Sequence, residues 1–302
     1  MEHTIENLRA IPPFVDVRIW AVWRGTEMVA QSHIAMLRKE ENKHLAEFNI
    51  DVLPELRRHG IARRLLRHIT DVAGPENRSL LIANTSSTVP AGEAFMKRIG
   101  AHAGLVGVTN QLRVAELDRA LIRQWQAHGK AQTAQVELGF WAGPYPEADV
   151  EAMATFLDVM NTAPRGDLQV EDQHWTAQEL RQIEASQAQR KIERWTMYVR
   201  DKKTREFAGY TDVTWNPRDP GVLQQGGTGV LPKYRNHGLG RWLKAAMLEK
   251  ILAERPQVKR IRTGNANSNA PMLKINQELG FKPYRSMSYW QVELDKVRQY
   301  MG

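Results

Sequence analysis

One short basic segment occurs twice in this chain, and this repeat constrains the fold more than any other feature of the sequence. The first copy is VLPELRRHGIARRL at residues 52–65, and the second is VLPKYRNHGLGRWL at residues 230–243. The two copies agree at eight of their fourteen positions, which include a proline, two arginines, a histidine and a glycine. The distance between them far exceeds the roughly 20–50 residues of a solenoid repeat. The repeat therefore indicates a duplicated domain.

The same order of predicted elements surrounds both copies. Two alternating strands joined by a turn precede each copy, and a further strand leads directly into it. Apolar residues at helical spacing follow, and then come a strand, a short helix ending at glycine, and a closing strand with a helical tail. We predict an α+β protein with two similar domains, residues 1–134 and residues 135–302, each a mixed, mostly antiparallel sheet flanked by helices.

Composition excludes several kinds of chemistry and of location. The chain has no cysteine, which excludes disulfides, thiolate metal ligands and a cysteine nucleophile. No apolar run reaches the ~18 residues of a membrane span, and the beginning of the chain lacks the apolar centre of a signal peptide. We therefore expect a cytoplasmic protein with no membrane partner and no metal ion.

The net charge is +8, and the positive charge is scattered along the chain, with local density only around residues 57–67 and 233–244. Such a charge suits nucleic acid, an anionic membrane surface or a phosphorylated small molecule. The chain has no run of five or six like charges that would form a basic tail. This distribution argues against nucleic acid as the main partner and favours a local site for an anion.

Each repeated segment predicts a pyrophosphate site. A strand is followed by a turn and then by a helix that begins near a glycine, and the first N–H groups of a helix lack internal partners and carry the positive end of its dipole. Glycine there leaves room for a bulky anion. The segment lacks the end of a Walker A loop and the glycines of a dinucleotide fingerprint, so its sequence alone is a weak signal. The candidate residues are Val230, Arg235, Asn236, His237, Gly238, Leu239, Gly240 and Arg241 in the second half, and Val52, Arg57, Gly60 and Ala62 in the first.

In its context the segment resembles the GCN5-related N-acetyltransferase (GNAT) family. The second half has VLPKYRNHGLG from Val230 to Gly240 and then NAPMLKINQELGF from Asn269 to Phe281. The first half has VLPELRRHGIA, followed by the weaker match STVPAGEAFMKRIGA. The resemblance covers nearly the whole chain as two tandem domains, an arrangement similar to that of the mycothiol synthases. It implies that each loop binds the pyrophosphate of acetyl-CoA, with Asn269 also at the cofactor.

The resemblance further implies direct attack of an amine on the thioester, assisted by a base, a backbone donor for the oxyanion and a proton donor for the thiolate. The family's tyrosine donor corresponds to Asn276 in the second half and to Met96 in the first. Methionine cannot donate a proton, whereas an asparagine can hydrogen-bond a sulfur or a water. We therefore predict that the first domain is degenerate and that the second is catalytic.

The family's basic glutamate corresponds to Gln224 in the second half, and Glu47 lies one residue from the matching position in the first. A glutamine cannot take up a proton, so a base acting there needs a water chain. Tyr284, which precedes the final strand, is a further candidate in the acceptor cleft. The catalytic candidates are therefore Asn276, Gln224 and Tyr284, and the alternative interpretation of Tyr284 is packing.

The polar segment MNTAPRGDLQVEDQHWT at residues 160–176 carries the densest acidic cluster in the second half. In the family, the segment between the first two strands shapes the acceptor site, so that Asp167, Glu171 and Asp172 could attract a cationic amine. A solvated connection is an equally good interpretation.

These patterns lead to one main functional hypothesis and two alternatives. The main hypothesis is an acetyl-CoA-dependent N-acetyltransferase that acts on a primary amine of a small molecule. The first alternative is a non-catalytic acyl-CoA-binding or regulatory protein, because the usual acid and base are missing. The second is an acetyltransferase of a macromolecule such as a ribosomal protein or RNA, because the chain is basic. The sequence leaves the acceptor and the oligomeric state open.

Overall fold

The computed structural model describes residues 10–132 and 134–302. The first half contains β1 (Val15–Arg24), β2 (Glu27–Leu37), β3 (Leu45–Val52), α1 (Ile61–Ala73), β4 (Leu80–Ser86), α2 (Pro90–Arg98), β5 (His102–Arg113) and α3 (Arg119–Gln132). The second half contains β6 (Val136–Ala142), α4 (Val150–Phe156), α5 (Ala177–Gln189), β7 (Glu193–Asp201), β8 (Phe207–Trp215), β9 (Val222–Val230), α6 (Leu239–Glu254), β10 (Arg260–Ala266), α7 (Ala270–Glu278), β11 (Lys282–Glu293) and α8 (Leu294–Met301). The predicted order of strands and helices around each copy is confirmed.

The chain forms two compact units that do not coincide with its two halves. The N-terminal unit comprises residues 13–107, 165–171 and 285–302, and the C-terminal unit comprises residues 10–12, 108–164 and 172–284. The predicted contiguous domains, 1–134 and 135–302, differ from these units because most of β11 with α8 belongs to the N-terminal unit. Likewise, the second part of β5 with α3 belongs to the C-terminal unit.

The N-terminal unit contains strands in the order β1-β2-β3-β4-β11. The β3–β4 pair is parallel and the other pairs are antiparallel, so the sheet is mixed and mostly antiparallel as predicted. Strand β11 joins this sheet because residues Met287–Glu293 pair with Ser86–Leu80 of β4. Its apolar side chains Trp290 and Val292 are buried in the same core as Leu66 of α1.

The C-terminal unit contains strands in the order β5-β10-β9-β8-β7-β6. On one face, Leu243 and Met247 of α6 are fully buried in the larger core cluster of this unit. On the other face, α4 packs against β8 and α5 packs against β7, and Phe156 and Leu180 contribute to a core that includes Tyr210. The helices thus cover both faces of the strands that lead to the second repeated segment.

In each unit, the strand that leads into the repeated segment separates from its parallel neighbour. The β3–β4 pairing covers only Leu45–Glu47 against Leu80–Ile82, and the β9–β10 pairing covers only Val222–Gln224 against Arg260–Arg262. Both β3 and β9 then continue for several residues, up to Val52 and Val230. Beyond these pairs, the backbone N–H and C=O groups of β3 and β9 that face the parallel neighbour lie outside the pairing. Because such groups need partners, they can hydrogen-bond a ligand.

No helix within residues 10–132 and 134–302 is long and apolar enough to cross a membrane.

Candidate active site

The two repeated segments have the same backbone conformation. Asn236 and Gly238 have φ angles of 67° and 77°, and the matching residues Arg58 and Gly60 have φ angles of 69° and 80°. Gly238 and Gly60 are the N-caps of α6 and α1, and neither helix start is capped by a side-chain hydrogen bond. Glycine suits these positions because a Cβ disfavours the left-handed region. Each unit therefore presents uncapped helix amides, which are the donors that a pyrophosphate needs.

The arginine of each loop stabilises the turn. Arg235 Nε donates a hydrogen bond to the carbonyl oxygen of Val230 at 2.9 Å, and Arg57 Nε donates to that of Val52 at 3.2 Å. A guanidinium nitrogen of Arg235 also donates to Thr162 Oγ1 at 2.8 Å. These arginines fix the helix start relative to the end of the strand, and their positive charge adds to that of the helix dipole.

The N-terminal loop opens into a cavity of about 670 Å³ between the end of β3, the start of α1 and the helix α2. This volume lies in the range of about 300–1,000 Å³ that is usual for small-molecule and cofactor sites. Arg57, Arg63 and Arg98 line the cavity together with Gly60 and Phe95. The basic lining fits a polyphosphate, so the residues present are compatible with acetyl-CoA.

The C-terminal loop differs from its N-terminal counterpart in one ion pair. Arg241, which matches Arg63, donates two hydrogen bonds to Glu278 at 2.8 and 2.9 Å and thereby joins the start of α6 to the end of α7. The hydrogen bond from Arg241 lowers the pKa of the Glu278 carboxyl, which therefore stays ionised. The position that matches Glu278 in the first half holds Arg98. An anion at the C-terminal loop therefore has a carboxylate nearby, whereas at the N-terminal loop it has two arginines.

We expect exchange of these charges to change affinity for coenzyme A in opposite directions. Arg98→Glu should weaken binding to the N-terminal cavity, and Glu278→Arg should strengthen binding at the C-terminal loop, each by about tenfold. Titration calorimetry with coenzyme A measures both effects. Lys97→Glu is the matched control, because Lys97 is exposed on α2 and pairs with Glu93. Equal effects of the variants at positions 97 and 98 would show that only net charge matters.

Asn276 is buried at the position of the family tyrosine. Its side chain is 1% exposed, and its Nδ2 donates to Asn265 Oδ1 at 2.8 Å. Its Oδ1 has no hydrogen-bond partner among residues 10–132 and 134–302. A buried, unpaired polar atom is costly, and a water or a ligand can supply its partner. The matching residue in the N-terminal unit, Met96, is equally buried but apolar. Only the C-terminal unit therefore offers a polar group at this position.

Two other predicted residues of the second half lie around Arg262. Gln224 is opposite Arg262 at the end of the β9–β10 pairing and is exposed. The guanidinium of Arg262 lies 4.6 Å from the ring centroid of Tyr284, which is 49% exposed. Asn269 caps α7, and its side chain accepts a hydrogen bond from the Met272 amide at 3.4 Å. The assignment of Asn269 to the cofactor remains a prediction.

The acidic segment at residues 165–171 belongs to the N-terminal unit, which differs from its predicted place in the acceptor site of the second half. Glu171 Oε2 accepts a hydrogen bond from the Asn42 amide at 2.5 Å, and the Glu171 amide donates to Asn42 Oδ1 at 2.9 Å. The Asp167 amide donates to the carbonyl oxygen of Gly104 at 2.7 Å. These hydrogen bonds hold the segment in the N-terminal unit, whereas Asp172 lies in the C-terminal unit.

Sequence reasoning missed one acidic side chain of the C-terminal unit. Asp212 is partly buried on β8, and both of its carboxylate oxygens lie 2.7 Å from the position that a Cβ on Gly226 would occupy. Burial raises the pKa of Asp212 to about 6, and the positive charge of Arg194 only partly opposes this shift. In the sequence, Asp212 could have been recognised as a single charged residue in the strand FAGYTDVTW, which neighbours the glycine-rich strand VLQQGGTGV.

Within the described residues, no group of three histidine, aspartate or glutamate side chains could hold a metal ion.

Comparison with known proteins agrees with the geometry of these loops. None of the curated proteins matches the chain. Among solved structures, the chain is similar to a tandem GNAT protein from the clavulanic acid biosynthesis pathway, with 26% identity over 97% of this chain and 87% of that chain and a TM-score of 0.78. It shares its fold with a GCN5-related N-acetyltransferase from Sphaerobacter thermophilus, with 12% identity over 90% and 83% of the two chains and a TM-score of 0.55.

A third similar structure is the GCN5-related glucosamine N-acetyltransferase region of a fungal multi-domain beta-N-acetylglucosaminidase. The identity is 11%, the match covers 96% of this chain and 34% of that chain, and the TM-score is 0.65. The model of the acetyltransferase (GNAT) family matches residues 2–101 and again residues 164–281, which together are more than half of the chain. With two uncapped helix starts of the same conformation beside two separated strands, the chain belongs to the acetyltransferase (GNAT) family.

Proposed function

We propose that the protein transfers an acetyl group from acetyl-CoA to the primary amine of a small molecule, and that the transfer takes place in the C-terminal unit. The observation that carries this proposal is the uncapped start of α6 at Gly238, next to the separated end of β9. The helix amides and Arg235 suit the pyrophosphate, and the free backbone of β9 suits the amides of a pantetheine arm.

The C-terminal unit also offers the polar groups that the chemistry requires. A backbone N–H near Val230 can stabilise the oxyanion, and the buried Asn276 lies where the leaving sulfur is expected in this family. The absence of cysteine fits a direct attack by the amine, which needs no covalent intermediate on the protein. The N-terminal unit, with the apolar Met96 instead, retains a cavity for the acyl-CoA but no group for the leaving sulfur.

A small acceptor fits the surroundings of β8. The helices α4 and α5 cover the face of the C-terminal sheet opposite α6, with an apolar core that includes Phe156, Leu180 and Tyr210. Such a cover limits the space for an acceptor. The similar tandem GNAT protein comes from a biosynthetic pathway for a small molecule, which also favours this class of acceptor.

The test is an assay of coenzyme A release from acetyl-CoA with a panel of small amines. We expect release that depends on the amine and yields an N-acetylated product by mass spectrometry. Binding of acetyl-CoA without any amine-dependent release would instead favour a non-catalytic acyl-CoA-binding protein. The open N-terminal cavity with Met96 makes this the specific alternative.

We expect Gly60→Glu to leave turnover within a few-fold of the wild type. This substitution places a carboxylate at the start of α1, in the N-terminal unit, where we propose no transfer. Steady-state kinetics with the best amine of the panel measure the effect, and circular dichroism confirms that the variant is folded. A deep loss of turnover in the folded variant would assign the reaction to the N-terminal unit.

A further inference from the structure

We propose that Asp212 is the general base of the C-terminal unit and accepts the proton of the acceptor's ammonium group through bridging waters. This inference rests on the proposed function and adds the residue that the sequence did not provide, since Gln224 stands where the family has its glutamate. Three observations support the inference: the position of the carboxylate on β8, two glycines of β9 and the surrounding charges.

The carboxylate of Asp212 lies against the backbone of β9. A Cβ on Gly226 would lie 2.7 Å from both carboxylate oxygens, and a Cβ on Gly227 would lie 2.0 Å from the hydroxyl oxygen of Tyr210. Real Cβ atoms do not approach other atoms so closely, so only glycine at these positions leaves room for both side chains. Gln225 holds the strand in place, because its Nε2 donates to the carbonyl oxygen of Asp212 at 2.7 Å.

This contact lies at the point where β9 leaves β10. The parallel pairing ends at Gln224, and Gly226 is two residues further along the separated part of β9. The separated backbone is the part of the unit that suits the pantetheine arm. The carboxylate therefore stands at nearly the same level of the strand as the expected glutamate but is supplied by the neighbouring strand. From there to Val230 the strand extends about 13 Å at 3.3 Å per residue, so the proton transfer runs through a short chain of waters.

Two cations near Asp212 oppose the effect of its burial only in part. The guanidinium of Arg194 donates to Glu184 at 2.7 Å and lies 4.0 Å from the ring centroid of Tyr145, so much of its charge is already neutralised. Burial lowers the pKa of Lys244 to about 8, so this lysine is mostly protonated near pH 6, and its charge is the smallest of the causes that oppose the shift of Asp212. The titratable or charged groups around the carboxylate are Arg194 on β7, Glu184 on α5, Lys244 on α6, Tyr145 and Tyr210.

Burial raises the pKa of Asp212 to about 6. A base with a pKa close to neutrality is mostly ionised at pH 7 and still binds a proton well, which is the best compromise for general base catalysis. An exposed aspartate is a weaker base, with a usual pKa near 3.9.

Asp212 accounts for the first of the two protons that the acceptor nitrogen loses. The ammonium gives one proton to the Asp212 carboxylate, and the free amine attacks the thioester carbon. The new C–N bond forms, the C–S bond breaks, and the sulfur leaves with the bonding electron pair. The second proton of the nitrogen passes to this sulfur and yields the coenzyme A thiol, and Asp212 returns its proton to solvent.

The test compares Asp212→Asn with the wild type. We expect a fall in kcat of at least about 100-fold with an unchanged KM for acetyl-CoA. In the wild type, the rate should rise through pH 6 and then level off, and this step should be lost in the variant. With a water chain and no base, the rate would instead keep rising toward the pKa of the amine. Asp219→Asn is the control, because Asp219 is an exposed aspartate in the turn after β8.

The unfolding temperature distinguishes a catalytic role of Asp212 from a role in folding. The pKa of Asp212 is raised in the folded state, so its ionised form destabilises the fold above pH 6. Asp212→Asn should therefore unfold at pH 8 at a temperature no lower than that of the wild type. Should this variant fail to fold, Gly226→Ala decides, since its Cβ displaces the carboxylate and should lower kcat and remove the step at pH 6.

The outcomes distinguish the two proposals. A wild type that acetylates no amine at any pH contradicts both. A wild type that is active, with Asp212→Asn or Gly226→Ala within a few-fold of it, contradicts only the role of Asp212. A loss of activity that leaves the step at pH 6 intact would make Asp212 a structural residue and would likewise overturn this inference.

Discussion

Gly238→Glu is expected to weaken binding of acetyl-CoA to the C-terminal unit by at least about 100-fold, because like charges brought together cost several kcal/mol and 1.4 kcal/mol is a factor of ten. The new carboxylate stands at the start of α6, where the helix dipole and the free amides would otherwise hold the pyrophosphate. Gly238 also has a φ of 77°, which a residue with a Cβ adopts at a cost of roughly 1–2 kcal/mol.

Calorimetry in a Gly60→Glu background measures this effect, because only the C-terminal loop can then bind. Gly238→Asn separates the two causes, since asparagine tolerates a positive φ and adds no charge. It should retain most of the affinity. If Gly238→Glu binds acetyl-CoA as tightly as its parent, this loop does not hold the pyrophosphate.

The second large effect concerns the stability of the C-terminal unit. Glu184 is 6% exposed in its side chain, and it accepts hydrogen bonds from Arg194 at 2.7 Å, from Arg181 at 2.7 Å and from the Tyr145 amide at 2.8 Å. Glu184→Ala leaves Arg194 buried without its partner, which typically costs about 3–5 kcal/mol. We expect a decrease of this size in the free energy of unfolding, measured by urea denaturation at pH 7.

Glu147→Ala is the matched control for this prediction. Glu147 pairs with the same Arg181 at 2.6 Å, but its side chain is 89% exposed. An exposed ion pair contributes little, about 0–1 kcal/mol. Similar losses in the two variants would contradict the view that burial of Arg194 sets the cost.

The sequence sufficed to predict the loops because their conformation is local. Proline, arginine and glycine at fixed spacing determine the turn, and the apolar periodicity that follows determines the helix. Both copies therefore fold alike, with Gly60 and Gly238 in the same left-handed conformation. The same locality allowed the strands, the helices and the duplication to be predicted without any knowledge of contacts.

The sequence could not place the acidic segment at residues 165–171. Its polar composition correctly indicated a loop, but composition says nothing about where a loop lies. Two reciprocal hydrogen bonds between Glu171 and Asn42, which are 129 residues apart, fix it in the N-terminal unit. Contacts of this kind depend on the geometry of both partners and leave no trace in local patterning.

What the sequence by itself determined is thus the pair of similar units, the helix starts and the chemistry of an anion site, since each follows from residues close in the chain. Only the tertiary structure decided that β11 pairs with β4, because β5 and β11 have similar local patterns and differ in the strand edge that accepts them. It also brought Arg241 to Glu278 and Asp212 to Gly226. The physical reason is that strand pairing and helix packing set distances between residues that lie far apart in the sequence.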